Sequence, residues 1–289
     1  MQERKLHHLE KIVAACALLA VLALTVGFAH AGDLERHKKV FLRSSVALVQ
    51  DADSGETILA KNSEAVLPIA SITKLMTAMV ILDRKLDLDE EIVVSREDID
   101  RLKGTRSRLR TGARLTRDEL LLIALMASEN RAAAALARTY PGGTDEFVAA
   151  MNRKARALGM MDTHYVDPTG LDSANVSSAE DLAKLVKAAT EYPLIREYTT
   201  RERAQVRVRG RKLSYANTNR LVRNPHWDIG LSKTGYISEA GRCLVMRVKV
   251  ASKDLIVVLL DSWGKYSRIG DAKRIRKWLE SSAFDDTRG

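Results

Sequence analysis

The chain has 289 residues, 46% apolar and 29% charged, with a formal net charge of +10. That is enough length for one large domain or two small ones with a full core, and it excludes a disordered composition. No zinc-finger spacing or aromatic-rich RNA motif accompanies the positive charge, so nucleic acid is not an expected partner.

Taken in chain order, Arg4, Lys5 and Lys11 precede an apolar run from Ile12 to Phe28. Ala29-His30-Ala31 then fits a small-x-small cleavage site. Residues 1–31 therefore read as an export signal, with a mature periplasmic chain of 32–289. The alternative is an uncleaved anchor helix, for which the apolar run is short. Val13-Ala14-Ala15-Cys16 mimics a lipoprotein box, but most of the apolar run follows the cysteine. Cleavage would leave Cys243 without a disulfide partner, and its apolar run Cys243-Leu244-Val245-Met246 marks it as a buried inert thiol.

Val46 to Gln50 and Thr57 to Lys61 flank a turn and predict a hairpin. Pro68 precedes an apolar-periodic stretch to about Leu86, an expected helix with Ser71 in its first turn. Glu91 to Val94 reads as a short strand. Thr116-Arg117-Asp118-Glu119 is a capping box that opens a helix to Ala127. Ser128-Glu129-Asn130 interrupts it, and an Ala-rich helix follows to Tyr140. Pro141-Gly142-Gly143 ends that helix, and another runs from Thr144 to Leu158 with Gly159 at C′.

Asp167-Pro168-Thr169-Gly170 marks a loop, and Ser178 to Asp181 caps one more helix. Gln205 to Tyr215, broken by Gly210, predicts a second hairpin. Cys243 to Val250 and Leu255 to Asp261 are strand-like, and Ile269 to Leu279 closes the chain as a helix. Strands gather at both ends and helices in the middle. The expected class is α/β (α+β), with one antiparallel sheet built from both termini and flanked by helices, and a mostly helical insertion.

Three motifs carry chemistry: Ser71-Ile72-Thr73-Lys74, Ser128-Glu129-Asn130 and Lys233-Thr234-Gly235. Residues three apart share a helix face, so Lys74 would lie beside the Ser71 hydroxyl and take its proton. A free lysine is neutral only about once in 2,500 at pH 7; burial and a second cation, for which Lys233 is the candidate, would depress its pKa. Ser128 could relay a proton to a leaving amine, and Asn130 could hold a substrate carbonyl. Glu129 between them is expected to face solvent. Lys233 and Thr234 suit a carboxylate, and Gly235 lets a ligand approach the backbone. Arg220 is a further candidate for that carboxylate.

Each motif alone has a bland reading, as a cap or a turn. Ser262-Trp263-Gly264-Lys265 and Ser173-Ala174-Asn175 repeat two of the patterns in less suitable contexts. The ordered set is the signal. There is no Gly-x-Ser-x-Gly, no His-Glu-x-x-His and no phosphate-cradling glycine loop. His164 and His226 neighbour no nucleophile and read as surface residues.

These residues resemble the low-molecular-mass penicillin-binding proteins, of the penicilloyl serine transferase, β-lactamase/transpeptidase-like fold. The resemblance spans roughly residues 40–282. It includes Pro68 to Thr77, Asp167 to Leu171 and Asn217-Thr218-Asn219. Ser232 to Tyr236, running into Ala240-Gly241-Arg242-Cys243, is most similar to the D-alanyl-D-alanine endopeptidase branch (penicillin-binding protein 7 type).

The resemblance implies a serine DD-peptidase that cuts D-alanyl cross-links of peptidoglycan stem peptides through an acyl-serine. It implies Ser71 as nucleophile, Lys74 as general base and Ser128 as proton relay. Asn130, Lys233, Thr234 and Gly235 would bind substrate, and the backbone N–H groups of Ser71 and Tyr236 would form the oxyanion hole. β-Lactams would acylate Ser71, and no metal or cofactor is implied. The Asp167–Asp172 loop has no Glu-x-x-x-Asn arrangement, so a penicilloyl adduct is expected to persist.

The chain ends soon after its closing helix, without the C-terminal β-domain of carboxypeptidase relatives. A single catalytic domain over 32–289 with endopeptidase activity is therefore expected. A carboxypeptidase on the same scaffold is the alternative, and a non-catalytic wall-binding or β-lactam-sensing protein is a more distant one. Arg101 to Arg114 holds six basic residues and no acidic one, and Arg201 to Arg223 holds eight against Glu202. Both read as solvated surface or as peripheral contact with anionic wall or membrane.

Overall fold

The computed structural model describes residues 40–286, with side chains to residue 281. The expected export signal at 1–31 lies outside the described residues. Residues Phe41–Ala283 form one compact unit.

Its centre is a five-stranded antiparallel sheet in the order β2-β1-β11-β10-β9. The strands are β1 (Ser44–Asp51), β2 (Thr57–Lys61), β9 (Asp228–Ile237), β10 (Gly241–Val250) and β11 (Lys253–Ser262). β1 pairs with β11, from Ser44 opposite Ser262 to Asp51 opposite Leu255. The two ends of the chain thus share one sheet, as their strand patterns predict. Leu255 to Leu260 are buried without alternation, because both faces of the sheet are covered. α5 (Ala179–Ala189) packs on β11, β1 and β10. α7 (Ser267–Asp286) turns Ala272, Ile275 and Leu279 inward. The buried Asp271 carboxylate fixes α7 to β1, accepting from Ser44 N at 2.7 Å and Ser44 Oγ at 2.6 Å.

The insertion is helical, as expected: α1 (Lys74–Asp83), α2 (Arg117–Met126), α3 (Asn130–Arg138), α4 (Gly143–Ala157) and α6 (Pro193–Thr200). The Thr116 capping box forms in full. Three short pairs complete the fold. They are β3 (Leu67–Pro68) with β6 (Val176–Ser177), β4 (Glu91–Val93) with β5 (Arg114–Thr116), and β7 (Arg203–Val208) with β8 (Arg211–Ala216). Among the described residues no helix is long and apolar enough to cross a membrane.

Three elements differ from expectation. The helix read from Pro68 begins as a 3-10 turn, Ala70–Thr73, and becomes α-helical only at Lys74. Ala70 sits at φ +47°, which breaks the helix on its N-terminal side. β9 was not anticipated, because Ser232, Lys233, Thr234 and Gly235 interrupt its apolar alternation. α6 was also missed, although Pro193 at its first turn is a start signal.

Candidate active site

The 3-10 turn, the α2–α3 junction and edge strand β9 bring the three motifs together. Lys74 is 1% exposed, and its Nζ donates to Ser71 Oγ at 2.9 Å, Asn130 Oδ1 at 2.7 Å and the Thr169 carbonyl at 2.6 Å. In a 3-10 turn, positions three apart eclipse, so the pair stands closer to register than in an α-helix. Three partners use all three ammonium protons. Two of them, an amide oxygen and a carbonyl, can only accept. When Lys74 loses a proton, its lone pair is therefore left facing the Ser71 hydroxyl.

Burial lowers the Lys74 pKa from 10.5 to about 8; the carboxylates of Asp167, Glu129 and Asp100 oppose that shift. Burial and a second cation, Lys233, were the two expected causes of this depression, and Lys233 is not among those acting on Lys74. The effect between the two cations is instead evident on Lys233. That lysine is pushed well down by burial, then by Lys74 and Arg268. Lys233 is 1% exposed, and its Nζ donates to Ser128 Oγ and to the Thr234 carbonyl, each at 2.9 Å. Thr234 Oγ1 donates to Thr218 Oγ1 at 2.7 Å.

The backbone is strained at both serines. Ala70, which precedes Ser71, has φ +47°, and Ser128 itself has φ +60°. Such conformations cost on the order of 1–3 kcal/mol each and persist where surrounding contacts impose them. Two glycines permit the packing. A Cβ on Gly235 would lie 2.8 Å from the Ile69 carbonyl and 3.2 Å from Ser71 N. One on Gly170, at φ +78°, would lie 1.9 Å from the Ala70 carbonyl. The free edge of β9 therefore abuts the backbone of the Ser71 turn. The Tyr236 side chain is 56% exposed under the Arg242 guanidinium.

Glu129 does not face solvent as expected. It is 9% exposed and caps α3, accepting from Arg131 N at 3.3 Å. In the two repeated patterns, Ser262 and Asn175 are structural. Ser262 bonds Ser44 at 2.6 Å, and buried Asn175 holds the 167–170 loop, accepting from Val166 N at 2.7 Å. His164 and His226 are exposed. Cys243 is fully buried, which pushes its thiol up to about 11.

Several contributors escaped the sequence reading. Arg268 lies beneath the β9 edge and donates to the carbonyls of Gly235, at 2.7 Å, and Cys243, at 3.1 Å. No local pattern marks it. The Thr169 carbonyl was visible only as part of a loop. Thr105 Oγ1 accepts from Asn130 Nδ2 at 3.0 Å and so fixes which amide atom faces Lys74. Two residues earlier, Lys103 reaches Glu239 at 2.5 Å, in the turn joining β9 to β10. The 100–105 loop is thereby bonded to both walls of the cleft. A cavity of about 310 Å³ opens between this loop and residues 167–171, beside Asn130.

The family model described as D-alanyl-D-alanine carboxypeptidase, peptidase S11, matches residues 35–264. A D-alanyl-D-alanine endopeptidase of Pseudomonas aeruginosa is 49% identical over 83% of this chain and 78% of its own length. One from Escherichia coli is 46% identical over the same shares. The crystal structure of the Streptomyces K15 DD-transpeptidase superposes with a TM-score of 0.77 at 26% identity, covering 83% of this chain and 98% of that one. The sheet, the lysine-flanked serine and these likenesses agree: the chain belongs to the peptidase S11 family and is a serine DD-peptidase of peptidoglycan, with the penicillin-binding fold.

Proposed function

We propose that this protein is an exported DD-endopeptidase that hydrolyses D-alanyl cross-links, with Ser71 as its nucleophile. The observation that carries the proposal is the Lys74 amine, buried, 2.9 Å from Ser71 Oγ and saturated by acceptors on its other protons. Ser71 Oγ attacks the D-alanyl carbonyl as Lys74 takes its proton. The oxyanion forms against the backbone N–H groups of Ser71 and Tyr236, and each such donor contributes on the order of 3–4 kcal/mol in analogous sites. Ser128, held by Lys233, passes a proton to the leaving amine as the C–N bond breaks. Water then attacks the ester, returns a proton to Ser71 and releases the carboxylate. Asn130 orients the substrate amide, and Lys233 and Thr234 take the carboxylate on the leaving side.

The endopeptidase sense is supported by the printed names of the relatives at 49% and 46% identity. The family description favours carboxypeptidase activity, which stays as the second reading. The two basic segments support contact with anionic wall or membrane. Arg108 stacks 3.8 Å over Tyr215, and Arg209 donates to the Thr111 carbonyl at 3.2 Å, so the segments form one surface.

The test is chromatography of cross-linked muropeptides treated with the full chain or with Ser71→Ala. Dimers are expected to fall to monomers only with the native serine. Loss of terminal D-alanine with dimers intact would make it a carboxypeptidase. No change in either pool would leave a binding or sensing protein.

A further inference from the structure

Beyond Thr234, the face of β9 becomes aromatic and cationic. Tyr236 shares the Thr234 face by the two-residue period of a strand. Its ring lies 4.4 Å from the Arg242 guanidinium. Arg242 is the register partner of both Tyr236 and Ser262, so Trp263, 88% exposed, leaves the sheet at the same end. Tyr266, 55% exposed, follows just before α7, with the Arg220 guanidinium 5.5 Å and the Lys265 ammonium 5.6 Å from its ring. Arg220 stands two residues after Thr218, the acceptor of the Thr234 hydroxyl. The patch is thus continuous with the cleft.

Core packing does not account for this cluster. Single exposed rings need no explanation, but two rings with cations set on them and an exposed Trp263 at the same end of the sheet form a surface. Arg220, Arg242 and Lys265 have no carboxylate partner among the described residues. Ring contacts hold the guanidinium groups in place and leave N–H edges free for an anion. Tyr, Trp and Arg are also the residue types that dominate binding hot spots.

We infer that this patch is the leaving-side subsite and takes the acidic second stem peptide of a cross-link. The inference rests on the endopeptidase reading. When a single D-alanine departs, the leaving group ends at the carboxylate held by Lys233 and Thr234, and the patch goes unused. When a cross-link is cut, the leaving amine belongs to a whole peptide that bears further carboxylates. Past the first carboxylate that peptide runs onto Tyr236, Arg242 and the Arg220–Tyr266 pair. Arginine pairs carboxylates through parallel N–H bonds, and the rings cover the apolar flanks of the peptide. The unpaired positive charge favours this ligand over a neutral sugar chain.

The experiment compares three rates for the full-length wild type, for the double variant Trp263→Ala/Tyr266→Ala and for Arg242→Gln. These are hydrolysis of a cross-linked muropeptide dimer, trimming of a pentapeptide monomer and acylation by fluorescent penicillin. Both variants should lose about tenfold or more in kcat/KM on the dimer, mainly through KM, because a truncated hot spot costs at least that much. Trimming and acylation should stay within about twofold of wild type, since neither reaction uses the patch.

An unchanged dimer rate overturns the inference, as does a parallel fall in all three rates for Arg242→Gln. If the double variant does not fold, Arg242→Gln alone decides. Loss of binding to phosphatidylglycerol vesicles with dimer cleavage intact would make the patch a membrane contact and also overturn it. Failure of the wild type to cut dimers while trimming monomers refutes the endopeptidase reading, and that shows before any variant is compared.

Discussion

At the scale of single residues, the site turns on how Lys74 can be neutral when needed. With a pKa of 10.5 the free amine costs roughly 4.8 kcal/mol at pH 7; at about 8 the cost falls to roughly 1.4 kcal/mol. Penicillin acylation of the wild type should therefore rise about tenfold per pH unit below pH 8 and level off above it. A flat profile from pH 6 to 9 would show that Lys74 is not the base. The same shift has a stability consequence. The unfolded lysine holds its proton up to 10.5 and the folded one only to about 8, so within that window the unfolded state binds more protons. Stability contributed by this group rises with pH across it. The neighbouring carboxylates limit the depression, which keeps the pKa near the working range.

Among the elements, β9 is the piece on which the site depends, and it is held against the Ser71 turn by what Gly235 lacks. Gly235→Ala would drive a Cβ to 2.8 Å from a backbone carbonyl that cannot swing away. The strand edge must then retreat, at about 1–3 kcal/mol of overpacking. Acylation should fall about a hundredfold, because displacing a reacting group by about 1 Å costs that much. Circular dichroism and the labelling rate check it together: folded protein with normal labelling would contradict the account.

Much of this architecture was legible in the chain. The capping box at Thr116, the glycine after Leu158 and the β-branched, apolar runs of β10 and β11 specify themselves locally. The three motifs announced the site for the same reason: each places its chemistry within four residues. β9 was hidden because its functional side chains replace the apolar alternation that identifies a strand. Arg268 was hidden because its role is to bond two backbone carbonyls brought near by pairing of β9 with β10. Glu129 was misread because polarity in sequence does not tell a solvated carboxylate from a buried cap.

Across the whole molecule, charge has an address. The basic loop at 101–114 and the hairpin β7–β8 lie far apart in sequence and meet through Arg108, Tyr215, Arg209 and Thr111. Arg207 stands opposite Lys212 in the hairpin register. Like charges so placed repel each other, and an anionic polymer laid across them relieves that repulsion. Binding of the full chain to purified sacculi should weaken steeply between 50 and 300 mM salt, roughly as the Debye length shortens from about 14 to 6 Å. Cosedimentation unaffected by salt would rule out an electrostatic contact.

The Lys103–Glu239 contact makes the cleft an eyelet rather than an open trench. The 100–105 loop is fastened to Asn130 through Thr105 on one side and to the β9–β10 turn on the other. A bicyclic antibiotic is short enough to slip beneath such a span. A cross-link tethered to a glycan strand at each end could not be threaded beneath it, so on the endopeptidase reading the Lys103–Glu239 contact would have to open. The Lys103 contact holds the Glu239 carboxyl down at about 2, so acidity in the ordinary range leaves the fastening shut. Dissolved ions compete for it instead. On that reading the contact would bear on the large substrate and leave a compact inhibitor unaffected.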